Sequence, residues 1–231
     1  MDIIFGTYDA EKDLGLSLLD VDIGSPDVKE ELIDIPGSNG VIDHTEATTG
    51  YPTYKNVKHK LTFDFVNKNY QVWQSQAGYI KDLLHGKKMR VYFGEGSWYY
   101  YGRISVASEK VNSKYGKLEI ELDAYPYRIS DKSSLEPWLW DPFNFETDYV
   151  TEAFADVVVN GIKEVNVVGS AMPVEPVFVC SSPMTVTFNG GTYSLPTGRS
   201  STPDIQILQG DNIFTFSGTG TVSIEFYSGR F

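Results

Sequence analysis

The strongest constraint in this chain is a two-residue rhythm. Leu61, Phe63 and Phe65 alternate with Lys60, Thr62 and Asp64, and Leu118, Ile120 and Leu122 alternate with Lys117, Glu119, Glu121 and Asp123. Successive side chains of an extended strand point to opposite faces, so each run buries one face of a sheet and wets the other. Met89, Val91 and Phe93 form a shorter run, and Trp98 to Val106 continues it through Tyr99, Tyr101 and Gly102. Asn112 to Gly116 reads as the turn joining the last two strands. One segment keeps a different period. Tyr70, Trp73, Ala77, Ile80, Leu83 and Leu84 recur at helical spacing, with Asn69 suited to cap the start and Gly86 to end it. Lys81 and His85 fall in the last turn, where positive charge complements the helix dipole. The order strand, helix, strand, hairpin predicts an α+β domain in which one helix, over about 70–85, covers a sheet.

The second half is patterned differently. Val157–Val159, Val165–Val167, Val174–Val179, Met184–Phe188, Ile205–Leu208, Ile213–Phe216 and Val222–Phe226 are short strand candidates, punctuated by Asn189-Gly190-Gly191, Gly210-Asp211-Asn212 and Gly218-Thr219-Gly220. Such spacing predicts an all-β sandwich closed by a hairpin that turns at Ser217–Gly220. Charge shifts at the same place: residues 1–130 hold 19 acidic and 15 basic side chains, residues 131–231 hold 12 and 4. The chain therefore divides into an N-terminal domain over 1–130, a linker over 131–150 and a C-terminal domain over 151–231. Pro137 and Pro142 interrupt regular structure in the linker, and Trp138, Trp140, Phe143 and Phe145 are apolar enough to pack on a domain.

Composition narrows the function. A formal charge of −12 over 231 residues disfavours phosphate-backbone recognition and anionic membrane surfaces. No apolar run approaches the roughly 18–20 residues of a membrane helix, and Met1-Asp2-Ile3-Ile4-Phe5-Gly6 has no signal-peptide character, which points to synthesis in a cytoplasm. The lone Cys180, in an apolar run, excludes an internal disulfide and reads as a buried structural thiol.

No catalytic, cofactor or metal site emerges. His44, His59 and His85 have no metal-ligand spacing and read as strand or surface residues. Asp20 and Asp22 share a face if extended; one isolated pair can hold a divalent cation but reads as a solvated strand edge. Gly94-Glu95-Gly96 and Gly218-Thr219-Gly220 lack the helix N-terminus that a phosphate cradle needs. The run Trp98-Tyr99-Tyr100-Tyr101 places aromatics on both strand faces. Trp98 and Tyr100 are candidate contact residues, either as a sugar-stacking platform or, in the plainer reading, as packing against the helix and a neighbouring sheet or subunit.

Residues 28–56 do not fit two layers. Leu32, Ile33 and Ile35 form one strand, Pro36-Gly37 and Asn39-Gly40 bend the chain, Val41 and Ile42 form a second strand, and Tyr51 and Tyr54 lead back to the sheet. This is a projecting arm, whose open strand edges call for a partner.

Taken together, Ile35-Pro36-Gly37-Ser38-Asn39-Gly40-Val41-Ile42-Asp43, Tyr54-Lys55-Asn56 before Leu61-Thr62-Phe63-Asp64-Phe65, Leu84-His85-Gly86-Lys87, Tyr99-Tyr100-Tyr101-Gly102-Arg103, Tyr125-Pro126-Tyr127 and the run Phe214–Ile224 resemble the distal tail (Dit) family of non-contractile long-tailed phages and prophages. The resemblance implies a mainly β virion protein that is not an enzyme. Its N-terminal domain would be a split-barrel-like sheet with one helix and an arm that contacts the next subunit. Its C-terminal domain would be a galectin-like β-sandwich. It also implies a hexameric ring at the virion tail tip, with the tail tube protein, tail-tip proteins and receptor-binding proteins as partners, no cofactor, and DNA only as cargo; in such a ring the chain's acidity predicts a net-negative lumen. A carbohydrate-binding module for host adsorption is the alternative.

Overall fold

The computed structural model describes residues 1–66, 69–94, 96–111, 116–136 and 153–231. The expected turn at 112–115 and the aromatics Trp138, Trp140, Phe143 and Phe145 lie outside the described residues. Two compact units divide the chain, Met1–Arg128 with Phe231, and Ile129–Arg230.

In chain order the first unit contains β1 (Ile3–Phe5), β2 (Tyr8–Asp9), β3 (Leu16–Ile23), β4 (Leu32–Asp34), β5 (Val41–Asp43), β6 (Val57–Phe65), α1 (Tyr70–Leu84), β7 (Lys88–Phe93), β8 (Trp98–Val111) and β9 (Gly116–Ala124), followed by the short β10 (Arg128–Ser130). The antiparallel sheet runs β2-β1-β7-β8-β9-β6-β3. The two-residue rhythm sets its faces. In β6, Val57, Leu61, Phe63 and Phe65 are buried while Lys58 and Lys60 are exposed, and β9 buries Leu118, Ile120, Leu122 and Ala124. The helix covers this apolar face. Trp73, Ala77, Ile80 and Leu84 are buried at steps of four, three and four, and the Trp73 ring stacks on Phe65 with centroids 6.1 Å apart. Burying each large side chain contributes roughly 1.5–3 kcal/mol. Gly86 ends the helix at φ 77°, a conformation that favours glycine, as the sequence predicts.

The second unit contains β11 (Val157–Gly169), β12 (Val177–Cys180), β13 (Met184–Phe188), β14 (Gly191–Leu195), β15 (Gly198–Ser201), β16 (Gly210–Glu225) and β17 (Gly229–Arg230). Its main sheet runs β14-β13-β16-β12-β15, with β11 also paired to β16. Mainly β architecture with one helix among the described residues agrees with the sequence reading.

Three expectations are corrected here. The closing hairpin does not exist, because Gly210–Glu225 is one strand that bends without reversing. Val157–Val159 and Val165–Val167 are likewise one strand, β11. Ile205–Leu208 is not a strand and contributes one bridge, Val174 to Ile207. The cause of the first two lies at Gly161, Gly218 and Gly220. These glycines take positive φ inside the ladder rather than in a turn, and the strand changes partners there. Thr215–Ser217 pairs with β13, whereas Val222–Glu225 pairs with β12.

Ser134, which the sequence reading assigns to a linker, is buried in the second unit. Its hydroxyl donates to the Ile224 carbonyl at 2.7 Å and accepts from the Phe226 N–H at 2.8 Å. The core of this unit gathers Phe178, Phe188, Phe214 and Phe216, with Phe188 stacked on Phe214 at 4.6 Å. Cys180 lies in the same core, and burial pushes its thiol pKa up, as befits an inert structural cysteine.

Candidate functional site

The arm leaves the sheet after β3 and returns at β6. Its root is a short antiparallel contact in which Lys29 N–H donates to the Thr53 carbonyl and Lys55 N–H to the Asp27 carbonyl, both at 2.8 Å, around the bridge of Val28 to Tyr54. Further out, β4 and β5 pair Leu32 with Asp43, Ile33 with Ile42 and Asp34 with Val41. The Thr45 hydroxyl and backbone N–H hydrogen-bond the Asp43 carboxylate and hold its pKa below the ordinary range.

Both faces of this hairpin are open to solvent. Leu32 is 50% exposed, Ile33 44%, Val41 55% and Ile42 44%, and Ile35 beside the Pro36-Gly37 turn is 40% exposed. An isolated two-stranded hairpin is marginal in water, and apolar side chains on both of its faces gain nothing there. The arm thus carries apolar side chains that the rest of the chain leaves exposed.

Tyr51 and Tyr54, expected with the arm, are half-buried at its root. Tyr54 packs edge-on against Tyr127 at 5.8 Å and Phe231 at 4.9 Å, and Tyr127 stacks on Phe231 at 4.7 Å. The Arg128 guanidinium donates to the Phe231 backbone oxygen at 2.9 Å. Burial pushes the Tyr127 hydroxyl up to about 12. This aromatic cage fixes where the arm departs. Sequence reasoning missed it, since nothing in local spacing links Tyr54 to residues so far along the chain; the cluster Tyr125-Pro126-Tyr127 was its one visible trace.

The other candidate surface divides. Trp98 is half-buried, but Tyr100 is buried on the inner face of β8 and cannot serve as an exposed platform. Tyr100 lies 4.2 Å from the His59 ring, which also meets Phe93 at 5.7 Å. His59 is 1% exposed and neither of its nitrogens has a hydrogen-bond partner among the described residues. Burial, and secondarily the Arg128 charge, push it down to about 4, so it is neutral at pH 7. His85 instead accepts at Nδ1 from the Val106 N–H at 3.0 Å, and His44 sits exposed on the arm.

The outer face of the sheet is charged and polarised. Asp20 and Asp22 of β3 lie opposite Thr62 and Lys60 of β6, and with Glu119 and Glu121 of β9 they line a shallow depression. Among the described residues no group of three or more His, Cys, Asp or Glu is placed to hold a metal ion. At the β7 side, Lys88 lies opposite Arg103 and Arg90 opposite Tyr101. No described helix is long and apolar enough to cross a membrane.

No family model and no curated protein matches this chain. Among solved structures, it is similar to the SPP1 Dit (gp 19.1) protein, described as a paradigm of the hub adsorption apparatus in phages infecting Gram-positive bacteria. The likeness spans 100% of this chain and 99% of that one, with a TM-score of 0.62 and 13% sequence identity. The chain therefore shares that protein's mainly β fold.

Proposed function

We propose that this chain is a distal tail hub of a phage or prophage: a structural protein, not an enzyme, that forms a hexameric ring between the tail tube and the tail tip or baseplate. The observation that carries the reading is the fold likeness, covering this chain's full length, to a hub of an adsorption apparatus. The exposed apolar arm supports it independently, because closed rings need a head-to-tail contact in which an element of one copy seats on the next. In this reading the first unit builds the ring with its arm, and the second unit is the outward module that docks tail-tip and receptor-binding proteins. A formal charge of −12 per chain suits a conduit through which DNA passes without adhering.

Native mass spectrometry of the full chain tests the proposal. The expected species carries six times the 25.8 kDa chain mass, and deletion of residues 32–43 returns it to the monomer. A hexamer that survives this deletion overturns the role given to the arm. Specific, saturable binding on a glycan array would favour a carbohydrate-binding module; burial of Tyr100 removes one of the two aromatics on which that alternative relied.

A further inference from the structure

The two halves of a head-to-tail contact differ in charge, and the first unit carries such a pair of surfaces. Between Glu30 and Glu46 the arm holds five carboxylates, Glu30, Glu31, Asp34, Asp43 and Glu46, with no lysine or arginine. All five are exposed and flank the exposed apolar side chains of β4 and β5. At the β7 side of the sheet's outer face the sign reverses. Lys88, Arg90 and Arg103 are exposed together at the start of β7 and on the β8 strand beside it, and exposed Lys87 precedes β7 at the corner of this patch. Lys88 is directly opposite Arg103, so two cations share one face of a strand pair, an arrangement that costs stability unless an anion neutralises it. Among the described residues, neither Lys87 nor Lys88 has a carboxylate within ion-pair distance. Asp123, across from Arg103 on β9, is the acidic neighbour in this row. Tyr101, 43% exposed and opposite Arg90, gives the patch an apolar floor.

We propose that the face formed by Lys88, Arg90, Arg103 and Tyr101, with Lys87 at its corner, is the seat for the acidic arm of a second copy of this chain. The arm's carboxylates meet the cations, and its exposed isoleucines and valine cover Tyr101. Charge steers this pairing and sets its polarity, while apolar contact supplies the hold. A second copy is the favoured occupant because the arm bears the complementary charge and the uncovered apolar surface in one element. The proposal rests on the ring reading and names the surface that reading leaves open.

The test mixes unlabelled and nitrogen-15-labelled full-length chains and treats them with a carbodiimide, which joins lysine amines to carboxylates only at contact. Cross-links between labelled and unlabelled chains are expected from Lys87 or Lys88 to Glu30, Glu31, Asp34 or Asp43. Lys87→Glu with Lys88→Glu weakens assembly by about tenfold or more, as does Glu30→Lys with Glu31→Lys, and combining all four restores it. Restoration also shows that the single sets still fold. An assembly that forms without these cross-links, or that ignores both charge reversals, overturns the seat and leaves the ring standing. A chain that stays monomeric at millimolar concentration overturns both. Normal assembly of the Lys87→Glu, Lys88→Glu chain with lost retention of duplex DNA assigns the patch to nucleic acid and overturns the proposal.

Discussion

Gly161 stands directly opposite Gly218 in the β11–β16 ladder, and both hold positive φ, 83° and 155°. Two long strands therefore bend at one point without breaking their pairing. Bending lets one half of β16 pair with β13 and the other with β12, and so wraps the sheet around the phenylalanine core. The bend is fastened from the side. Ser182 donates to the Thr219 carbonyl, and the Ser181 hydroxyl accepts from the Thr221 N–H at 2.8 Å.

Substitution at this bend is expected to be unequal. A Cβ on Gly218 would meet the Met184 Cβ at 2.7 Å, whereas one on Gly161 meets nothing within 4 Å. Gly161→Ala costs the conformational penalty alone, roughly 1–2 kcal/mol, and Gly218→Ala costs more, about 2–4 kcal/mol. Urea unfolding of the full chain measures both, and equal losses would refute the steric part of the account.

Stability should fall on mild acidification because of His59. The unfolded chain takes up a proton near pH 6.5 that the folded chain refuses until about pH 4. The stabilising contribution of the neutral ring is thus complete above pH 6.5 and is lost as pH falls through that window. His59→Leu flattens the dependence between pH 7 and 4. Urea midpoints measured across this range for both chains check it; parallel curves would contradict a buried neutral histidine.

Ser134→Ala removes a hydroxyl that serves the Ile224 carbonyl and the Phe226 N–H at once. Leaving those buried groups short of a partner costs about 1–3 kcal/mol. Ser133→Ala, beside it at a half-buried position, loses only a longer, 3.3 Å bond accepted from the Leu135 N–H and is the control, with an expected change within about 0.5 kcal/mol. Thermal unfolding separates the two.

Cys180 is expected to resist thiol reagents in the folded chain and to react at once in urea, since it is 2% exposed and its thiol pKa is raised by burial. Rapid labelling of the native chain would show that the second unit opens locally.

Ile33→Asp and Val41→Asp change side chains that touch solvent in the single chain, so its melting temperature should hold, with a stability change within about 0.5 kcal/mol. Their effect should appear only in assembly, as a drop in the six-fold species by native mass spectrometry. A large loss of monomer stability would mean that the arm is covered within its own unit.

What the sequence determined was periodicity, and periodicity assigns faces. Alternation through Leu61, Phe63 and Phe65 dictated which side of β6 is buried, the helical stripe from Trp73 to Leu84 dictated helix α1, and Pro36-Gly37 with Asn39-Gly40 dictated a hairpin between two apolar strands. Partners were not encoded in the same way. Gly218 and Gly220 carry the same local signal whether the chain reverses or only bends, and the choice was made by Met184, Ser181 and Ser182 packed against them. His59 shares the buried phase of Leu61 and Phe63 in β6, but the rings that pack against it, Tyr100 and Phe93, arrive from β8 and β7. The Tyr54 cage needs Phe231, far away along the chain. Local propensity acts over a few residues, whereas strand partners and buried polar pairs are chosen by contacts between distant segments, so only the tertiary structure decided them.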